Sequence, residues 1–315
     1  MANKLLVDTF SRYKTLALGC WAFGGDQWGG QDDDDSFEAI DKAIELGVNH
    51  FDTARAYGNG RSEKICGKAL KKVRKNIFLA TKFCYSPRID VQKELINSLE
   101  NLQTDYIDLL YIHWPKTGAD MRSMMQELEK ARKQEIIKYI GVSNFSIDQM
   151  KQVMEAGTID ACQLCYNLLW RWDEKDIMPF CKENNIAIIT YSSIAQGILT
   201  GKFPLDISFK ENDARNSMIL FSQDVWPSVY DTVDKMKNTV KNNHASLVHY
   251  AVNWIKEQEG ISSILFGARN ALQVKEIIES EKTRSNKNIL MELAHLSDEI
   301  HECLPNTGNI FQYYP

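Results

Sequence analysis

Short, almost wholly apolar runs alternate with longer amphipathic ones along the 315-residue chain. The apolar runs fall at 15–18, 48–52, 77–81, 107–113, 139–142, 160–164, 187–191 and 262–266. Runs of this length without polar alternation suit parallel strands buried on both faces. The intervening segments carry helical spacing with start and stop signals. Ser36 stands where it could cap a helix with Phe37, Ile40 and Ile44 on one face, ending at Gly47. Asp90 can cap residues 91–102, and Ser146 can cap 147–155 ahead of Gly157. Ser246 opens a helix that would bury Leu247, Val248, Ala251, Val252 and Ile255. Eight strands, each followed by a helix, predict a (β/α)8 barrel, with a doubly wound sheet as the competing arrangement. No linker or low-complexity tract interrupts the pattern, so residues 1–315 are expected to form one domain. The longest irregular stretch, 201–228, follows the seventh strand, and loops of that length are usually functional or disordered. The tail, 304–315, carries Phe311, Tyr313 and Tyr314, and either folds over the barrel mouth or packs as a plain terminus.

Composition narrows the functional classes. The net charge of −5 and pI near 5.8 supply no basic footprint for nucleic acid or an anionic membrane. Seven cysteines, an odd number scattered over a long chain, argue for a reducing compartment over a disulfide framework. Cys162 and Cys165, three apart on an expected strand, point to opposite faces and cannot close one site. Residues 1–13 lack a basic-then-apolar leader, and no run approaches the ~18 apolar residues of a membrane span. A cytoplasmic location is therefore expected. The acidic run Asp32 to Asp35 precedes a helix start, where negative charge complements the macrodipole, so it reads as helix chemistry and not a metal site. His244 and His249 are five apart, off a shared helical face, and His295 and His301 have no ligand partner at a useful spacing. No exposed apolar stripe stands out, which favours a monomer.

The candidate chemistry sits at strand ends. Asp52 closes the second strand, Lys82 follows the third, His113 closes the fourth, and Tyr57 lies in the loop 53–62. In a barrel these ends converge on one mouth, where barrel active sites lie. Taken singly, a strand-end Asp or Lys is more often a solvated rim charge; the conjunction carries the argument. The segments around these residues, Asp52-Thr53-Ala54, Ala56-Tyr57-Gly58, Ser62-Glu63 and Thr81-Lys82, resemble the signature of the aldo-keto reductase superfamily. The resemblance continues from Asp105 through Leu109 to His113-Trp114-Pro115, through Gly141 to Phe145 and through Gln163 to Asn167. It then takes in Tyr191-Ser192, Gly197 to Lys202 and Gly267-Ala268-Arg269, in order over essentially the whole chain. Trp28-Gly29-Gly30 and His113-Trp114-Pro115 are similar to the bacterial general-stress branch. The fold so implied is a (β/α)8 TIM barrel with an N-terminal hairpin cap and a long loop after strand 7.

The resemblance implies NADPH-dependent reduction of small aldehydes and ketones, with NADPH bound before the carbonyl compound. Hydride delivered to a carbonyl carbon leaves charge on oxygen, which a proton donor must quench; Tyr57 is the candidate acid. A close Lys82 ammonium favours the phenolate and would bring Tyr57 down from about 10 towards neutrality. Asp52 would hold Lys82 charged and oriented. His113 would hydrogen-bond the carbonyl oxygen.

On the cofactor side, the resemblance sets Ser143, Asn144 and Gln163 on the nicotinamide carboxamide, Tyr191 against its ring, and Trp21 and Asp52 nearby. Ser192, Ser193, Ile194, Ala195 and Gln196 would follow the pyrophosphate with Gly197, Leu199 and Lys202. Arg215 would clamp it from the long loop. Gly267, Arg269, Gln273 and Glu276 match an adenosine pocket, with Arg269 able to fork onto a 2′-phosphate, hence NADPH over NADH. The chain departs from the family at Leu265-Phe266-Gly267, where Ile-Pro-Gly is common, and at Ile277, where Asn is common. Trp21, Trp28, Tyr57, His113 and Trp114 would wall the substrate pocket. Two other readings remain open at this point: a sugar or alcohol dehydrogenase running oxidatively, and an NADPH-sensing regulatory subunit like the potassium-channel β subunits. His113, where those subunits tend to carry Asn, favours an enzyme.

Overall fold

The computed structural model describes residues 6–243, 245–281 and 284–313. Eight parallel strands close into a barrel in chain order: β1 Leu16–Gly19, β2 His50–Asp52, β3 Phe78–Phe83, β4 Ile107–Ile112, β5 Ile137–Ser143, β6 Ala161–Cys165, β7 Ala187–Tyr191 and β8 Ile261–Gly267. After β1 to β6 come α2 (Asp33–Glu45), α3 (Arg61–Leu70), α4 (Val91–Leu102), α5 (Arg122–Lys133), α6 (Ile147–Met154) and α7 (Ile177–Glu183). Two helices, α8 (Trp226–Val240) and α9 (Leu247–Lys256), separate β7 from β8, and α10 (Ala271–Ser280) and α11 (Lys287–Cys303) follow it. Ahead of β1 lies α1 (Leu6–Phe10).

Asp90, Ser146 and Ser246 cap their helices, accepting from Lys93, Gln149 and His249 backbone N–H groups. Ser36 does not. Asp32 is the cap of α2, accepting from the N–H groups of Asp34 and Asp35, and the Ser36 hydroxyl donates back to the Asp32 carbonyl at 2.8 Å. The carboxylate reaches donors that Ser36, one turn further on, lies beyond. The N-terminal hairpin is not present among the described residues either. Leu6 and Phe10, four apart on one face of α1, plug the base of the barrel against Phe78, Leu109 and Ala161. The expected irregular stretch after β7 holds two short 3-10 turns, Ala214–Ser217 and Ile219–Phe221, and Trp226 already opens α8.

Side chains on a strand alternate between faces, and this alternation builds the site. The inward set begins at the base with His50 and Phe78, whose rings meet edge to face at 5.0 Å. Ala80, Leu109, Tyr111, Ala161, Ala187 and Ile189 fill the middle. The same parity carried to the strands' C-terminal ends selects Asp52, Lys82, His113, Ser143, Gln163 and Tyr191. Cys162, of opposite parity, faces outward beside Cys181 of α7.

Candidate active site

Lys82 is fully buried among its partners. Its ammonium donates to Asp52 Oδ1, to the Thr53 carbonyl at 2.8 Å and to the Tyr57 hydroxyl at 3.3 Å. Gln163 Nε2 donates to the other Asp52 oxygen at 2.9 Å. The loop bearing Tyr57 is held by close backbone contact: a Cβ on Gly58 would lie 2.3 Å from the Gly24 carbonyl oxygen, and Gly58 sits at φ +60°. Behind the loop, the Ser62 hydroxyl donates to the Cys20 carbonyl at 2.7 Å, and buried Glu63 accepts from Thr81 at 2.7 Å and Asn101 at 2.9 Å. Ser62-Glu63 thus supports the reacting loop from below.

Burial raises Tyr57 above its ordinary value; the pull of Lys82 works against that rise without reversing it. The expected fall towards neutrality does not occur, because burial outweighs the ammonium and the negative charge of Asp52 adds to the rise. Burial opposes the charge on Lys82, but Asp52 and Tyr57 outweigh it, and Lys82 is raised. Burial also raises the Asp52 carboxyl, against the pull of Lys82. The proton of the pair belongs on Lys82, which has three acceptors around it. His113 is driven well below its usual range by burial and by Lys82, so the imidazole is neutral at pH 7. Its ring meets Tyr57 edge to face at 5.6 Å, and its Nδ1 is buried without a hydrogen-bond partner among the described residues.

Aromatic side chains roof this centre. Trp21 stacks along Tyr57 at 6.0 Å and meets Trp28 edge-on at 5.0 Å. Trp114 lies 6.3 Å from His113. The tail folds over the mouth: Phe311 lies nearly parallel to Tyr191 at 6.2 Å and edges onto Trp21 and Trp114. A backbone bond from Ile219 to the Ile310 carbonyl, 3.0 Å, ties the tail to the long loop. Tyr314 lies outside the described residues, as does His244.

Asn144, at φ +62°, donates to the His113 carbonyl at 3.2 Å and to Ser143 Oγ at 3.1 Å, while its Oδ1 accepts from the Tyr191 hydroxyl at 2.7 Å. Beyond Tyr191 the backbone enters the left-handed region at Ser192 (φ 59°), Ala195 (47°), Gln196 (52°) and Gly197 (95°). Non-glycine residues pay on the order of 1–3 kcal/mol each for such conformations, which persist chiefly at functional sites. Ser193 Oγ and Gln196 Oε1 are buried there without partners among the described residues. Asn167, which has no role in the sequence reading, pins this loop by donating to the Ser192 carbonyl at 3.0 Å. Leu199 is fully buried in the core, so only its backbone can face the loop, whereas Lys202 is exposed. Arg215 holds Asp213 at 2.8 and 2.6 Å, with its guanidinium 4.3 Å from the Phe209 ring centre and 5.3 Å from that of Trp28.

At the end of β8, a Cβ on Gly267 would meet nothing within 4 Å. Arg269 donates to the Gly30 carbonyl and to Gln31 Oε1 at 3.0 Å, while Gln273 Oε1 accepts from its N–H at 2.9 Å. Glu276 is exposed; Ile277 is buried against the core, so the family's Asn at that position has an apolar packing residue in its place.

Residues 15–296 match the model of the aldo/keto reductase family. The chain belongs to the aldo/keto reductase family. An aldo-keto reductase of Bacillus subtilis, YhdN, is 37% identical over 290 residues, 87% of each chain. The NADH-specific methylglyoxal reductase of Escherichia coli is 30% identical over 292 residues, 83% of this chain and 87% of that one. Among solved structures, the glycerol dehydrogenase AKR11B4 from Gluconobacter oxydans superposes with a TM-score of 0.80 at 30% identity, covering 93% of this chain and 94% of its own. Aldo-keto reductases are oxidoreductases that work with nicotinamide cofactors, and the barrel is the fold these relatives share. No described helix is long and apolar enough to cross a membrane.

Proposed function

We propose that this aldo-keto reductase, acting as one domain over residues 1–315, reduces small aldehydes and ketones with NADPH. The observation that carries the reading is the Lys82 ammonium reaching both Asp52 and the Tyr57 hydroxyl beside a neutral His113. The bound cofactor supplies a hydride from nicotinamide C4. Tyr57 gives its proton to the carbonyl oxygen as charge develops there, and Lys82 stabilises the phenolate left behind. Asp52 keeps Lys82 charged and aimed. The neutral imidazole of His113 donates to the same carbonyl oxygen, polarising it without competing as an acid. Trp21, Trp28 and Trp114 exclude water from this step.

Three features of the chain fit the cofactor. Ser143, Asn144 and Gln163 offer amide and hydroxyl groups beside Tyr191, on which a planar ring can stack. The loop from Ser192 through Ser193, Ile194, Ala195 and Gln196 to Gly197, left-handed at Ser192 and from Ala195 to Gly197, sets the unpartnered Ser193 hydroxyl in a tightly turned backbone, which suits a pyrophosphate. Leu199 backbone, Lys202 and Arg215 border that run. The open space above Gly267, flanked by Arg269, Gln273 and Glu276, suits an adenosine, with Arg269 on its 2′-phosphate.

The Escherichia coli relative is named NADH-specific and the Gluconobacter enzyme a glycerol dehydrogenase. Cofactor and direction are therefore what the test must separate. Cofactor absorbance at 340 nm, followed with aldehydes and NADPH or NADH and with polyols and either oxidised form, should show fastest turnover for NADPH with an aldehyde. Tyr57→Phe should abolish it while cofactor still binds. Retained turnover in that variant would remove Tyr57 from the acid's role.

A further inference from the structure

A cavity of about 360 Å³ opens beside the catalytic centre, on the rim between the loops that follow β5 and β6. It shares Trp114, Asn144 and Tyr191 with the centre, and Asn309 and Tyr313 of the tail close its outer side. Neither Tyr57 nor His113 lines it. Trp170 and Trp172 add further aromatic wall.

Its charge is one-sided. Asp173 and Asp176 face it, and no lysine, arginine or histidine does. Asp176 accepts from the N–H of Ile177 at 2.6 Å, whereas the Asp173 carboxylate has no hydrogen-bond or ion-pair partner among the described residues. The nearest guanidinium in sequence, Arg171, is committed to Glu174 at 2.8 and 2.9 Å and to Asp298 at 2.6 Å. The Trp172 indole N–H is buried without an acceptor among the described residues. Burial, with Asp176 adding to it, raises the Asp173 carboxyl to about 7. Asp173 is half-buried, and a carboxylate facing a cation-free cavity beside a second carboxylate keeps only part of its hydration and gains no opposite charge in return. A hydroxyl could hydrogen-bond it but not neutralise it, and an anion would be repelled. A protonated amine restores the missing charge, and aromatic faces attract such a cation further.

We propose that this cavity is a subsite for the non-reacting end of the carbonyl substrate, selecting molecules whose far end is a protonated amine, with Asp173 as the residue that sets the preference. The inference rests on the carbonyl-reductase reading above. A substrate joining the two regions runs past Trp114 and Phe311, with its carbonyl at Tyr57 and its ammonium at Asp173.

The test compares 4-(aminomethyl)benzaldehyde, 4-(hydroxymethyl)benzaldehyde and 4-carboxybenzaldehyde, which present a cation, a neutral group and an anion on one framework. In the unmodified enzyme, kcat/KM for the cation should exceed that for the neutral compound by about tenfold, with the anion poorest; tenfold is about 1.4 kcal/mol. In Asp173→Asn the cation-to-neutral ratio should fall towards one while the anion-to-neutral ratio rises. General damage to the fold cannot move two ratios in opposite directions. Benzylamine, which has no carbonyl, should quench tryptophan fluorescence in the unmodified enzyme and at least several-fold more weakly in the variant. Ratios unchanged by the substitution, or the neutral compound preferred over both others, would overturn the subsite and leave the reductase reading standing. Failure to reduce any of the three, with NADPH or NADH, would remove both.

Discussion

The buried pair at the barrel mouth makes a thermodynamic prediction independent of turnover. Lys82 and Asp52 have side-chain exposures of 0% and 4%. In Asp52→Asn the ammonium would lose the charge that offsets its burial, which is the largest influence acting against it. Breaking one side of a buried pair typically costs about 3–5 kcal/mol, whereas removing both charges together leaves neither buried and uncompensated. Asp52→Asn and Lys82→Met should therefore each lose about 3–5 kcal/mol, and the double variant should recover to within about 2 kcal/mol of the unmodified protein. Guanidinium unfolding at pH 7, followed by tryptophan fluorescence, reads these differences as shifts in midpoint at constant slope. All three variants should lose carbonyl reduction, which separates the stability cycle from catalysis. The sign against pH is fixed. Because Lys82 is raised in the folded state, its stabilisation is complete below its ordinary value of about 10.5. It is lost as pH climbs through the folded value, so the advantage over the double variant should shrink only in strong alkali. Single variants costing under about 1 kcal/mol, or a double variant costing the sum of the two, would refute the pair as described.

Other consequences are as direct. With Tyr57 raised and His113 lowered, neither titrates between pH 7 and 9, so kcat/KM for carbonyl reduction should stay flat there; a fall centred near pH 8 would contradict a buried, protonated Tyr57. Arg269→Ala should weaken NADPH by roughly 10- to 100-fold, the range expected for charge-assisted hydrogen bonds, and NADH far less; equal losses in fluorescence titrations would undo the 2′-phosphate assignment. Gly58→Ala combines a left-handed φ with a 2.3 Å clash on the Gly24 carbonyl, so it should displace the Tyr57 loop, lowering both kcat and melting temperature. A variant with unchanged kcat would mean that the loop tolerates the shift.

The sequence made the barrel legible because its strands are buried on both faces and its helices carry polar caps, as at Asp90, Ser146 and Ser246. Asp52, Lys82 and His113 were legible because they stand at strand ends that converge on one mouth, and Tyr57 because the segments around it resemble the family's signature. What escaped depends on distances between remote segments. The direction of the Tyr57 shift turns on burial outweighing a nearby lysine, a balance no local motif encodes. Ser36 looked like a cap because its hydroxyl suits one, yet the Asp32 carboxylate starts the helix one turn earlier and leaves Ser36 inside it. The base of the barrel is closed by a helical turn because Leu6 and Phe10 share a face across four residues, a pattern too short to stand out. Asp173 carried no signal, since its significance arises where three loops and the tail converge.

The first and last described segments meet the barrel at opposite poles, with Leu6 beneath its floor and Phe311 over its entrance. Engineering of this protein is thereby asymmetric. Changes near Leu6 act on the floor, away from the substrate's approach, whereas changes near Phe311 act among Trp21, Trp114 and Tyr191. Affinities for small molecules should therefore be more sensitive to changes around Phe311 than to changes around Leu6.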